Sequence, residues 1–231
     1  MKIRKLLETL LVAGALGVSA AAAHAKDFRI FAMGGGASRF DTKTFTSSTG
    51  TDYGSDYADG SKFVVGGEVA LGKIFGIEGS YAFGRNNLRL SDLSWKPAPE
   101  TGYGARNHRI SANLVAHAPV SFYGVRPYLT AGLEYDRFSP TSGAKDLANS
   151  VGFTGVTATL APDDKIGFNF GAGAEVKLLR RLGLRFDVRD HVAGSPTFGL
   201  PSQSSSGATF PISGVGQNLE CSAGVVFHFG K

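Results

Sequence analysis

A single cysteine, Cys221, in a chain of 231 residues leaves no partner for an internal disulfide and excludes any multi-cysteine metal site. Charge of one sign is also scarce. The net charge is only +5, and no Lys/Arg block or aromatic-interleaved basic stretch gives a nucleic-acid-binding footprint. Beyond the N-terminus, apolar runs of helical length are missing, as are low-complexity tracts and any linker to a second domain. No cofactor motif is present either. What remains abundant is glycine, 32 residues of it, together with an apolar pattern of period two.

The first 25 residues have the order of a cleavable export signal. Lys2, Arg4 and Lys5 form a positive start, Leu10 to Val18 an apolar middle, and Ala23-His24-Ala25 a small-x-small site before Lys26. The apolar stretch is short and glycine-interrupted, and a cleavage signal follows it where a stop-transfer pattern would be needed for a membrane anchor. Cleavage after Ala25 leaves residues 26–231 as one domain.

Along that domain the strands follow from alternation. Phe28, Ile30, Ala32, Gly34 and Phe40 share one face of the first segment, opposite Arg29, Met33 and Arg39. Further segments repeat the pattern around Phe63 to Leu71, Phe75 to Phe83, Ile110 to Ala116, Leu129 to Tyr135, Ile166 to Val176, Leu182 to Val188, and Leu219 to Phe229. Eight segments of roughly ten residues match a tilted strand that crosses a bilayer. Gly72-Lys73, Pro119 to Gly124 and Leu179 to Arg181 are short connections, whereas 41–61, 85–105, 138–164 and 192–216 are long and polar. Strict alternation of long and short puts all tight turns at one end. The expectation is an all-β fold, an eight-stranded antiparallel up-and-down barrel with short periplasmic turns and four long extracellular loops.

Periodicity alone leaves open which face looks outward, and a soluble lipocalin-like barrel would turn the apolar face inward. Three features favour the membrane. Aromatics cluster near strand ends on the apolar face, as interfacial girdles do. That face carries no charge in its middle, where a lipid-facing Arg or Lys would cost about 2 to 4 kcal/mol. The other face holds charges of both signs in mid-strand.

The closing stretch, Ser222-Ala223-Gly224-Val225-Val226-Phe227-His228-Phe229, resembles the C-terminal signal read by the barrel-assembly machinery, with Ser222, Gly224, Phe227 and Phe229 as its members. Gly230 and Lys231 follow the final aromatic, a departure from the usual form. The whole layout resembles the small OmpA/OmpX-type outer-membrane barrels. That resemblance implies a barrel without a wide pore, in contact with outer-membrane lipids including lipopolysaccharide, and handled by the assembly machinery.

Candidate functional residues fall in two places. An eight-stranded interior is just wide enough for side chains to fill, and Glu68, Glu78, Arg109, Glu134, Glu175, Lys177, Arg185, Asp187, Arg189 and Glu220 fall on the inner face. Pairing of Leu178 with Leu182 would set Glu175 opposite Arg185. A similar register at the first turn would set Glu68 against Glu78, so an arginine such as Arg109 or Arg185 must answer both. These residues read as an ion-pair network closing the lumen, with a gated ion path as the alternative.

For enzymatic chemistry, His108 and Ser111 lie three apart and face opposite sides of a strand. His191 with Asp187 is the least unsuitable pair for a lipid-modifying hydrolase. Asp52, Asp56 and Asp59, and Asp163-Asp164, lack the spacing of a calcium loop. Trp95, Tyr103, Phe198 and Phe210 leave aromatic surface in the long loops for an unknown surface ligand. A non-enzymatic structural or surface-interaction protein, with no cofactor, no metal site and no nucleic-acid partner, is the leading reading.

Overall fold

The structure is a computed structural model that describes residues 27–39, 43–46, 52–57, 60–92, 100–142, 145, 160–198 and 214–230. The export segment, Phe40, Asp59, Trp95 and Phe210 lie outside the described residues. Ten strands appear in chain order: β1 (Asp27–Arg39), β2 (Lys43–Thr46), β3 (Asp52–Tyr57), β4 (Gly60–Ala70), β5 (Phe75–Asp92), β6 (Glu100–His117), β7 (Val125–Pro140), β8 (Asp163–Lys177), β9 (Leu182–Gly194) and β10 (Val215–Gly230).

Eight of them form the wall. β1 pairs with both β4 and β10, and β5 pairs with both β4 and β6, so the antiparallel sheet closes on itself. Closure leaves no free edge in the wall to recruit another chain. β2 and β3 form a small hairpin inside the first long connection, and β3 adds to the far end of β5.

The second long connection is shorter than its polar composition suggests, because β5 and β6 stay paired from Phe75↔Ala116 out to Ser91↔Glu100. The hydrophobic alternation is interrupted over Gly84 to Asn87, but backbone pairing needs no apolar face to continue. The three short turns stand where expected, with Gly72 and Gly124 at positive φ of 148° and 80°, a conformation that a side chain would strain.

Alternation translates directly into two faces. The even positions of β1 and the odd positions of β4, among them Ile30 and Phe63, are exposed outward at 42% and 52%. Leu129, Leu133, Phe168 and Val225 are likewise exposed. The buried side of the wall is the lumen, and most of its buried residues are polar or charged. A small apolar cluster of Phe31, Met33, Val64, Ala82 and Val226 shares it. Two inward glycines make this possible. Gly66 stands directly opposite Phe31 and Gly173 opposite Tyr128, and a Cβ at either position would run into the facing ring.

Candidate functional site: the barrel lumen

The turn between β8 and β9 is closed by Leu178 and Leu179 donating to Leu182, a register that places Glu175 opposite Arg185. Arg185 is completely enclosed. Its Nη2 donates to Glu78 Oε2 at 2.5 Å and its Nε to the Tyr128 hydroxyl at 2.8 Å. Oxygens of Glu68 and Glu175 lie 3.7 and 3.6 Å from its Nη1, and one of Asp187 lies 3.6 Å from Nη2. Its guanidinium also lies against two rings, 4.2 Å from the Phe31 centroid and 4.6 Å from that of Tyr128. Desolvated cation–π contacts of this kind contribute about 2 kcal/mol.

Glu68 and Glu78 face each other across the first turn, a like-charge pair that would be destabilising by itself. The opposite wall answers both. Arg189 donates from Nη1 to Glu78 Oε1 at 2.8 Å and bridges both oxygens of Asp187 at 2.7 and 2.8 Å. The Tyr128 hydroxyl completes Asp187 at 2.6 Å, and Asn113 donates to Glu78 at 3.1 Å. Arg29 reaches Glu68 at 3.3 Å.

Glu68, His117 and Glu175 converge closely enough to hold a metal ion. Arg29 Nη1 stands among them, 2.7 Å from His117 Nε2, 3.3 Å from Glu68 and 3.5 Å from Glu175. The guanidinium therefore occupies the place a cation would take, and its charge answers the same carboxylates.

A second cluster lies toward the long-loop end. Arg109 donates to Asp136 at 2.7 Å and to Glu220 at 2.6 Å, with Glu134 3.7 Å away. Lys62 pairs with Glu220 on the other side. His191 Nδ1 lies 2.6 Å from Glu134 and its Nε2 lies 2.7 Å from Glu220.

The two clusters thus contain Glu68, Glu78, Glu175, Arg185, Asp187 and Arg189 in one, and Arg109, Glu134 and Glu220 in the other. Lys177 belongs to neither: it is exposed at the short-turn end of β8, because the inward parity there has already passed the rim. Arg109, one of two candidates for Glu68 and Glu78, contacts neither and serves the second cluster. Lys62, Tyr128 and Phe31 are members that alternation around charged residues does not single out. Lys62 lies at the edge of a loop in sequence, and aromatic character alone does not tell Phe31 from a lipid-facing ring.

The enzyme candidates come apart in three dimensions. His191 turns to Glu134 and Glu220, while Asp187 is taken by Tyr128 and Arg189. His108 Nδ1 meets the Tyr81 hydroxyl at 2.8 Å, and Ser111 meets Ser80 at 2.7 Å. Asp163 is occupied by the Thr197 backbone N–H at 2.7 Å and by Lys165. Phe198, expected to be exposed, is buried at 4%. It folds back so that its carbonyl accepts from the Ala161 N–H.

Space in the lumen is small. One cavity of about 20 Å³ lies beside Met33, Ser80, Ser111 and Arg189, and another of about 10 Å³ lies beside Asn107 and Asn218. Lys62, Arg109 and Glu220 border both and so form the partition between them. A water needs roughly 10 to 15 Å³ measured in this way, so each chamber has room for about one.

A closed eight-stranded wall with an apolar outer face and a packed, charged interior defines a small membrane-spanning β-barrel. The chain belongs to the outer membrane protein beta-barrel domain family, which it matches over residues 9–229. It is a bacterial outer-membrane β-barrel with transmembrane strands. No curated protein matches it. Among solved structures it is similar to Neisserial surface protein A, with 16% identity, 87% of this chain and 97% of the other covered, and a TM-score of 0.48. Similar too is Ail of Yersinia pestis in complex with the heparin analogue sucrose octasulfate, at 11% identity, 88% and 99% coverage and a TM-score of 0.47. The N-terminal barrel domain of Pseudomonas aeruginosa OprF aligns at 15% identity, 89% and 98% coverage and 0.40.

Proposed function

We propose that this barrel is a non-enzymatic scaffold that holds its long extracellular connections toward a surface ligand. The observation that carries the reading is the lumen. Ion pairs fill it, the two cavities found among its described residues admit about one water each, and His117, His191 and the buried carboxylates are committed to one another or to the arginines. A wall stabilised from within in this way suits display at its rim. Four of the wall strands, β5, β6, β7 and β10, run 16 to 18 residues, longer than the roughly 9 to 11 that a bilayer requires.

Cells producing a variant with residues 93–99, 146–159 and 199–213 replaced by short turns provide the test. The variant should keep heat-modifiable gel migration and lose the adherence to matrix-coated or cell-coated surfaces that the full chain confers. Adherence unchanged by loop removal would overturn the proposal.

The second reading is a narrow ion path, favoured by the two chambers meeting at Lys62, Arg109 and Glu220. Conduction would require that partition to open. Steady single-channel openings of the wild type in planar bilayers, abolished when Glu68 or Arg185 is neutralised, would establish it in place of the first.

Biogenesis belongs to the same proposal. Residues 1–25 would direct export. β10 closes the wall onto β1 with Phe227 and Phe229 turned outward, their centroids 4.8 Å apart. Ser222 and Gly224 on its inner side complete the proposed signal for assembly.

A further inference from the structure

Among the described residues, the outer face carries an acidic group that its surroundings answer on one oxygen only. Asp190 has outward parity on β9, with Val188 and Val192 two residues away along the strand and Phe170 and Leu219 beside it on the neighbouring strands. Its Oδ2 accepts from the Gln217 side-chain amide. Its Oδ1 is shielded from solvent and has no hydrogen-bond partner among the described residues. With the short turns periplasmic, Asp190 stands about eight residues above the start of its strand. At roughly 3.3 Å per residue and a tilt near 40°, that is about 20 Å up an apolar band about 25 Å tall. The carboxylate therefore sits near the outer-leaflet boundary between acyl chains and headgroups.

Beside it the wall is hollowed. An open depression of about 740 Å³ crosses β6 to β9, with Asp190 at its edge. The register explains the hollow: Ala116 and Ala172 both lie beside Leu129, and Ala131 beside Phe170, so small side chains sit among large ones. Apart from Asp190 and Thr130 the lining is apolar.

We infer that this depression is a fixed seat for one outer-leaflet glycolipid whose acyl chains are attached through hydrogen-bond donors. The acyl chain fills the apolar hollow, and an amide N–H or hydroxyl at its head donates to the Asp190 carboxylate once a turn of the side chain brings Oδ1 out of its shielded position. Glycerophospholipids attach their chains through esters, which only accept hydrogen bonds, and their donors lie beyond the phosphate, farther out than the acyl boundary at which Asp190 stands. The charge of Asp190 makes the choice sharper, since hydrogen bonds to ionised acceptors are about twice as strong as neutral ones.

Native mass spectrometry of the purified full chain, given equal amounts of lipopolysaccharide, phosphatidylethanolamine and phosphatidylglycerol, tests this. The wild type should retain one lipopolysaccharide in preference to the other two. Asp190→Leu should reduce that preference about ten- to a hundredfold, the worth of one charge-assisted hydrogen bond. Ala172→Trp, which fills the hollow and keeps the carboxylate, should reduce it as well, and both variants are checked for folding by heat-modifiable migration.

Cys221 gives an independent readout. It is the sole cysteine, exposed on the outer face and paired with Val188. A nitroxide there should lose mobility on addition of lipopolysaccharide in the wild type and not in Asp190→Leu. Equal retention of all three lipids, or lipopolysaccharide retained alike by wild type and both variants, would overturn the inference. So would a dimer that Asp190→Leu dissolves, since the carboxylate would then face a second barrel.

Discussion

On β9, Asp187 and Asp190 stand three residues apart and face opposite sides of one wall. Asp187 is buried in the lumen, where Arg189 holds both its oxygens and Tyr128 donates to one of them. Asp190 looks outward, has Gln217 on one oxygen and nothing on the other. The same side chain is thus part of the core on one face and an exception on the other. The lesson is that the solvent on each side of this wall assigns the roles: a narrow lumen can supply a partner for every charge, and acyl chains can supply none.

The comparison breaks most visibly at Arg185. Arg185→Met would leave Glu78, Glu68, Glu175 and Asp187 short of a shared cation, and removal of one partner from a buried ionic cluster costs about 3 to 5 kcal/mol. Urea unfolding in phosphatidylcholine vesicles, followed by circular dichroism of the β-sheet, should show that loss, or no folded band at all on unboiled gels. Arg109→Met should cost less, because Arg109 makes two close contacts, lacks the pair of rings, and has Lys62 beside it on Glu220. Equal costs would mean that the rings around Arg185 contribute little.

On the outer face the expected effect of adding charge is smaller and depends on depth. Ala223 lies about six residues from Phe229 on β10, near mid-membrane, beside Phe186 and Gly34. Ala223→Arg should lower the unfolding free energy by about 2 to 4 kcal/mol in the same assay. An unchanged value would mean that position 223 lies outside the apolar band. Next in size is Gly66→Ala, which pushes a methyl group against Phe31. Overpacking of this kind costs about 1 to 3 kcal/mol, and Phe31→Leu should recover part of it if the clash is the cause.

How much of this could be read from sequence follows from the same division. Alternation is a property of each strand by itself, so the two faces, the eight wall segments and the tight turns were visible. The pairings Glu68↔Glu78 and Glu175↔Arg185 followed because a short turn fixes its own register. The partners across the lumen did not, because the meeting of Arg185 with Glu78, 107 positions apart, depends on how far the sheet is staggered when it closes. The paired extension of β5 and β6 was hidden for another reason: past Phe83 the apolar alternation breaks off over Gly84 to Asn87 and resumes only at Leu88 and Leu90, too briefly to read as the same strand although the backbone ladder goes on. Asp190 carries no signal of its own in the sequence, because it lies just beyond the apolar run that ends at Val188 and between the inward-facing Arg189 and His191.

The smallest effect is the most informative about the outer face. Near the interface a lipid-facing charge costs about 1 kcal/mol or less, and carboxylates cost less than Arg or Lys. In pure phosphatidylcholine vesicles Asp190→Leu should therefore stabilise the barrel slightly, by less than about 1 kcal/mol. With lipopolysaccharide present the sign should reverse. A ligand bound to the folded barrel stabilises it by mass action, and Asp190→Leu removes the acceptor on which that binding rests. The readout is then a difference of differences between two membranes, insensitive to any general effect of the substitution on folding. The same sign in both would leave Asp190 as a carboxylate tolerated at the interface, and the contrast with Asp187 would reduce to depth alone.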